Sequence, residues 1–155
     1  MSTASVIKGS CLCQRVQYEV TGPPKMRLLC HCDNCRKVTG STFMANALYR
    51  KDQLRIISGE DVLKVYEDSN TESGNTTSRK FCSNCSSPLF TSRDSDPSAA
   101  EVVAITSGTM DLGPSRENWA PQAEVYCKNR REWIVPVEGT VRSEVMEAFA
   151  PSKVE

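Results

Sequence analysis

Short runs of alternating apolar and polar residues dominate the chain and predict β-strands more often than helices. Val16, Tyr18 and Val20 alternate with polar residues, as expected for a strand with one buried face. Comparable patterns predict strands over 54–57, 62–66, 101–107, 124–128 and 133–137. The first two of these flank a Ser-Gly-Glu-Asp turn, which predicts a hairpin. We therefore expect a mainly β protein.

Two segments have helical patterns, and both are short. Cys32–Thr39 is expected to form a helical turn after closely spaced cysteines. In Ser143–Ala150, the serine is a candidate cap, and Val145, Met146 and Phe149 would form an apolar face. Strands and short helices in a chain of 155 residues fit one domain.

Composition narrows the function classes. Lys plus Arg total 19 and Asp plus Glu total 19, so the net charge is zero and nothing favours a nucleic-acid partner. Apolar runs are too short to span a membrane, and Met1–Gly9 lacks the pattern of a secretory signal. We expect a cytoplasmic protein, because its eight cysteines would stay reduced there.

Seven of the eight cysteines form three closely spaced groups. These groups are Cys11/Cys13, Cys30/Cys32/Cys35 and Cys82/Cys85. A C-x-x-C turn directs two sulfurs at one ion, and a C-x-C on a strand places two sulfurs on one face. Zinc binds four such ligands tetrahedrally. A disulfide framework is the alternative, but the spacing favours zinc.

Seven thiolates cannot complete two four-ligand sites. One partition joins the two pairs in a closed structural site and leaves Cys30, Cys32 and Cys35 as an open site. An open fourth position is typical of catalytic zinc. A rival partition fills that position with Cys127 or His31, which makes both sites structural. Against it, Cys127 lies alone in a predicted strand, and His31 should point away from the metal bound by its neighbours.

The cysteine-containing segments resemble the glutathione-dependent formaldehyde-activating enzyme family, which includes centromere protein V. The similarity is carried by Gly9-Ser10-Cys11-Leu12-Cys13, by residues 30–41 (CHCDNCRKVTGS) and by Phe81-Cys82-Ser83-Asn84-Cys85. The resemblance implies a β-tent of small antiparallel sheets with zinc knuckles and short helices. It also implies one zinc domain over residues 1–155, with a core of about 9–136 and a C-terminal extension over 137–155.

The resemblance further implies two zinc ions per chain and an activity. The structural ion would be bound by Cys11, Cys13, Cys82 and Cys85, and the catalytic ion by Cys30, Cys32 and Cys35. The implied reaction joins formaldehyde to the co-substrate glutathione, giving S-(hydroxymethyl)glutathione, and is classed as a carbon–sulfur lyase reaction. Two positions depart from the family pattern, because Gln14 and Ser86 replace glycines that often supply a positive φ.

Glutathione carries two carboxylates, and cations lie near the predicted open site. Arg36 and Lys37 follow the cysteine triple directly and are the candidate carboxylate contacts, while Arg79 and Lys80 precede the last pair. We hypothesise that zinc deprotonates a bound small thiol, which then attacks a small carbonyl compound. Two other functions stay open: a lyase or isomerase of the same fold acting on a fungal metabolite, and a non-catalytic zinc-binding interaction module.

Overall fold

The computed structural model describes residues 5–113 and 119–146. These residues contain one α-helix, α1 (Asp33–Thr39). They also contain twelve strands, namely β1 (Val6–Ser10), β2 (Gln17–Thr21), β3 (Met26–Cys30), β4 (Met44–Arg50), β5 (Leu54–Ser58), β6 (Leu63–Asp68), β7 (Thr77–Cys82), β8 (Pro88–Ser92), β9 (Val102–Thr106), β10 (Met110–Asp111), β11 (Ala123–Val125) and β12 (Val141–Arg142). The prediction of a mainly β protein is confirmed.

The strands form two sheets. Four antiparallel strands make the smaller sheet, in the order β10-β1-β2-β5, and eight make the larger, in the order β12-β11-β3-β4-β9-β8-β7-β6. At one edge of the larger sheet, β11 pairs in parallel with both β3 and β12. No helix within the described ranges has the length and apolar character needed to cross a membrane.

Strand β4 contributes residues to two apolar clusters, one on each face of the larger sheet. Ala47 and Tyr49 pack in a core with Tyr18 and Ile105. Successive side chains of a strand point to opposite faces, so the intervening residues face the other way. On that opposite face Met44 packs with a second cluster that includes two of the cysteines of the predicted open site. The sheet therefore separates the main core from the candidate site.

The predicted hairpin is wrong, although both of its strands exist. β5 pairs with β2 in the smaller sheet, whereas β6 pairs with β7 in the larger one. The connection between them contains Gly59 at φ +85°, where a Cβ would collide with the backbone carbonyl of Arg15. This turn therefore directs the chain from one sheet to the other instead of back along the same sheet.

Three predictions for the C-terminal part of the chain have different outcomes. The predicted strand 133–137 is not formed, and the side chains of Trp133 and Val135 are largely exposed. The predicted strand 124–128 begins as β11 but turns into a 3₁₀ turn at Cys127. Of the predicted helix over 143–150, residues 143–146 are not helical and residues 147–150 lie outside the described residues.

Candidate functional site

Two groups of cysteine side chains come together in space. The first contains Cys11, Cys13, Cys82 and Cys85, and the second contains Cys30, Cys32 and Cys35. Within each group, the sulfur atoms all lie within 4.8 Å of one another. The structure thus brings the cysteines together as the spacing predicted, four in one group and three in the other.

Two loops related in conformation form the four-cysteine group. In the first, the N–H of Val16 donates to Cys11 Sγ over 3.3 Å, and in the second Cys85 Sγ lies 3.2 Å from Ser87 Oγ. The hydrogen bond with Ser87 lowers the pKa of Cys85 to about 5, whereas burial raises the pKa of Cys11 to about 11. A divalent cation would allow all four sulfurs to ionise together.

Gln14 and Ser86 occupy the left-handed positions that these loops require. Each has φ of 63° and directly follows the last cysteine of its loop. Glycine adopts such a conformation without strain, whereas other residues pay roughly 1–2 kcal/mol. The two departures from the family pattern therefore keep the backbone shape, at a cost in stability.

The three-cysteine group lies at the junction of β3 and α1. Cys30 ends β3, and Cys32 is the N-cap of α1, its Sγ accepting the N–H of Cys35 over 3.3 Å. The helix ends at Thr39, and its C-cap Gly40 has a left-handed conformation. The predicted helical turn after the cysteines is confirmed, and it directs the Cys35 sulfur back toward the strand.

The three thiols of this group affect one another's ionisation. Hydrogen bonds with Cys30 and Cys35 lower the pKa of Cys32 to about 3. Hydrogen bonds with Cys32 and Cys35, together with burial, raise the pKa of Cys30 well above its usual range. Three thiolates at this distance repel one another, so full ionisation requires a cation among them. The donor set therefore fits a thiophilic metal such as zinc.

Neither rival fourth ligand joins the three sulfurs. His31 is fully buried, and its Nε2 lies 2.9 Å from Glu124 Oε2. Cys127 Sγ instead donates to the Glu124 carbonyl oxygen over 3.4 Å. Among the described residues, no fourth Cys, His, Asp or Glu belongs to the group.

A cavity of about 140 Å³ opens directly onto the three cysteines. One wall is the face of the larger sheet that carries Leu28, Asn46 and Leu48, and the rim includes Glu72. Glu72 is held in place by an ion pair with Lys128 and by the side-chain amide of Asn129, 2.9 Å away. The triple is therefore accessible to a small molecule.

Several buried polar groups line this cavity. Asn46 Oδ1 is buried and has no hydrogen-bond partner within the described part of the chain. Tyr126 also lines the cavity, at φ 54°, a conformation that is strained for a bulky residue and is often found at functional sites. Burial, followed by the nearby Cys30 and Cys32, raises the pKa of Tyr126 to about 12.

The predicted carboxylate contacts are not brought to the cavity. Arg36 donates from Nη1 to the carbonyl oxygens of His31 and Asn129, and Nη2 pairs with Asp33 Oδ1 at 2.6 Å. Lys37 is exposed, and neither residue is among those lining the cavity. These contacts within the protein already occupy the guanidinium of Arg36. Arg79, on β7, lines the cavity in their place.

Sequence reasoning missed the acidic residues that support the site. Glu124 and Asp68 are almost fully buried, and each pairs with a residue at or beside the site. Asp and Glu are mostly exposed in proteins, so the sequence alone does not mark either residue as part of a site. For Glu124 the sequence carries one signal, because the residue stands between the apolar residues Ala123 and Val125.

The comparisons with known proteins agree with this geometry. Residues 6–129 match the family described as glutathione-dependent formaldehyde-activating enzyme. A Halomonas elongata protein, provisionally named as such an enzyme, is 27% identical over 133 residues, covering 83% of this chain and 80% of its own. An uncharacterized lyase of Schizosaccharomyces pombe is 32% identical over 84 residues, covering 54% of this chain and 55% of its own.

A solved structure shows the same fold. The crystal structure of a Rhodobacter sphaeroides protein matches this chain with a TM-score of 0.54 and 22% sequence identity. The match covers 72% of this chain and 94% of that protein. Because the family match spans most of the sequence, this chain belongs to the glutathione-dependent formaldehyde-activating enzyme family.

Proposed function

We propose that this protein is a zinc-dependent carbon–sulfur lyase that joins a thiol to a small carbonyl compound. Membership of the family supports glutathione and formaldehyde as the substrates. The observation that carries the proposal is the group of Cys30, Cys32 and Cys35, which faces a cavity and includes no fourth Cys, His, Asp or Glu among the described residues. The cytoplasm, where thiols stay reduced, is its proposed location.

The two cysteine groups have different proposed roles. The four-cysteine group offers a complete tetrahedral set and would hold a structural ion that joins the start of the chain to its middle. The three-cysteine group would hold the second ion with one position free. Zinc bound there supplies positive charge that lowers the pKa of a thiol in that position.

The chain's own residues prepare the cavity for such a substrate. Leu28 and Leu48 provide apolar wall, which excludes water and strengthens polar contacts inside the cavity. Asn46 Oδ1 lacks a partner among the described residues, so a polar ligand would satisfy it. The buried pair of His31 and Glu124 fixes the short segment between Cys30 and Cys32.

The test is the variant Cys32→Ser, with zinc content and catalysis measured on the same sample. We expect the loss of one zinc per chain and at least about a hundredfold slower formation of the glutathione–formaldehyde adduct, followed by NMR exchange spectroscopy. The matched control is Cys127→Ser, a thiol outside both groups, which should keep two zinc ions and wild-type activity. Full activity after loss of the ion would contradict the proposal.

A further inference from the structure

Arg79 is a buried cation whose hydrogen bond to Asp68 uses only the Nε atom of its guanidinium. Its side chain is 9% exposed, and its Nε donates to Asp68 Oδ2 over 2.8 Å. Its Nη1 is buried and has no hydrogen-bond partner within the described ranges. A buried guanidinium N–H without an acceptor is costly, so a partner from outside the chain is expected.

The position of Arg79 is fixed by a short network. Asp68 also accepts from the Asn34 side-chain amide, at 2.8 and 3.0 Å, and that amide reaches the Asn70 carbonyl oxygen at 2.9 Å. Asn34 belongs to α1, one residue before Cys35. The network therefore ties the guanidinium to the helix that carries part of the cysteine triple.

Arg79 lines the same cavity as the three cysteines. A guanidinium stays protonated at any ordinary pH, so Arg79 carries a permanent positive charge. A permanent cation in an apolar cavity is a strong site for negative charge on oxygen, because little water screens it.

The geometry points to Arg79 as the residue that binds the oxygen of the carbonyl substrate as this oxygen becomes negatively charged. This inference rests on the proposed function and assigns a catalytic residue to it. In the reaction, the thiolate sulfur uses an electron pair to form the carbon–sulfur bond. The C=O π pair moves to the oxygen, which then takes up a proton equivalent to the one the thiol lost.

The location of Arg79 favours this oxygen over a glutathione carboxylate. In the adduct, the oxygen lies two bonds from the sulfur, so it must stay near the cysteine triple. The carboxylates of glutathione lie several bonds farther along the tripeptide and would reach toward the cavity mouth. Arg79 lines the cavity together with Cys35 and is therefore placed for the nearer oxygen.

A binding experiment tests the site without relying on turnover. Mercaptoacetate carries a negative oxygen three bonds from its sulfur, and 2-mercaptoethanol has a neutral hydroxyl at the same distance. By calorimetry on the zinc-loaded protein, we expect mercaptoacetate to bind at least about tenfold more tightly. Arg79→Gln should abolish this preference while both zinc ions are retained.

Kinetics supply the second readout. Arg79→Gln should lower kcat about 10²- to 10³-fold, as removal of an oxyanion donor does, and change the KM for glutathione less than about threefold. Arg79→Lys keeps the charge but loses the fork of N–H groups, so its kcat should be intermediate. The control Arg55→Gln removes an exposed guanidinium paired with Glu19 and should leave both readouts unchanged.

A double variant is used if Arg79→Gln alone does not fold. If Arg79→Gln leaves Asp68 as an unpaired buried charge and does not fold, the double variant Asp68→Asn/Arg79→Gln removes both charges and is measured instead. The same loss of preference and kcat is expected.

Three results separate the alternatives. No preference for mercaptoacetate in the wild type overturns the assignment of Arg79. A raised KM for glutathione with unchanged kcat also overturns it, in favour of a carboxylate contact. A preference that Arg79→Gln abolishes, in a wild type that does not accelerate adduct formation, supports Arg79 as an anion site and removes the proposed function.

Discussion

Replacement of Glu124 by Gln tests the buried pair behind the cysteine triple. Glu124 is 1% exposed. Its Oε2 accepts from His31 Nε2, and its Oε1 accepts the Val137 N–H at 2.6 Å and the Thr140 hydroxyl at 3.2 Å. The amide keeps an acceptor for Val137 and Thr140 but turns an N–H₂ group toward His31. His31 must then carry its proton on Nδ1, which is buried without a partner among the described residues.

The expected loss of unfolding free energy is about 2 kcal/mol. Exchanging a charged hydrogen bond for a neutral one costs about 1 kcal/mol, and turning the unpartnered Nδ1 from an acceptor into a buried N–H donor adds about 1 kcal/mol. Domains of this kind have total stabilities of only about 5–15 kcal/mol, so the effect is large. Because His31 lies between two cysteines of the triple, zinc affinity there should also fall about 10- to 100-fold.

Urea unfolding of the zinc-loaded protein, followed by circular dichroism, measures the first effect. A competition assay with a chelator measures the second. Glu19→Gln is the control, because its partner Arg55 has a 73% exposed side chain, and the expected loss is below about 1 kcal/mol. The reasoning is refuted if Glu124→Gln is as mild as this control. It is also refuted if His31→Gln and Glu124→Gln are additive, since contacting residues should show coupling of about 1 kcal/mol or more.

Two backbone predictions use the same unfolding assay. Gln14→Gly and Ser86→Gly should each raise the unfolding free energy by about 1 kcal/mol. The backbone strain that glycine relieves at φ 63° is larger than the conformational entropy that the more flexible glycine loses on folding. A loss of stability in both variants would contradict this prediction. Gly59→Ala should lower the unfolding free energy by about 2 kcal/mol or more, because the added Cβ would collide with backbone atoms. Gly74 also has a positive φ, of +77°, but has open space around it, so Gly74→Ala should lower the unfolding free energy by only about 1 kcal/mol. If both variants lost the same unfolding free energy, the collision at Gly59 would not explain the effect of Gly59→Ala.

The sequence predicts the strands better than their partners. Alternation shows that 54–57 and 62–66 are extended, but it does not show which sheet each one joins. That choice depends on the left-handed turn at Gly59, on the pairing of β5 with β2, which is distant in sequence, and on the pairing of β6 with β7, the next strand. The segment 133–137 has the alternation of a strand but does not form one, and Val135 is 82% exposed.

The sequence predicts the cysteine groups of the candidate site but not the residues that surround them. Cysteine spacing reveals both groups because C-x-C and C-x-x-C restrict geometry locally. Nearness in sequence favours Arg36 and Lys37, whereas Arg79 reaches the cavity through the pairing of β7 with β6 and β8. Glu124 likewise meets His31 only because β11 lies beside β3.

The two cysteine groups differ in how far they reach along the chain, and this difference orders their assembly. Cys30, Cys32 and Cys35 lie within one knuckle, whereas the other group joins Cys11 to Cys85. Closing a loop about twelve times as long costs about 2 kcal/mol more entropy. Under the proposed function, the three-cysteine group can therefore bind its ion during synthesis, while the ribosome is still making the middle of the chain. The four-cysteine group can bind its proposed structural ion only after Cys85 has been synthesised.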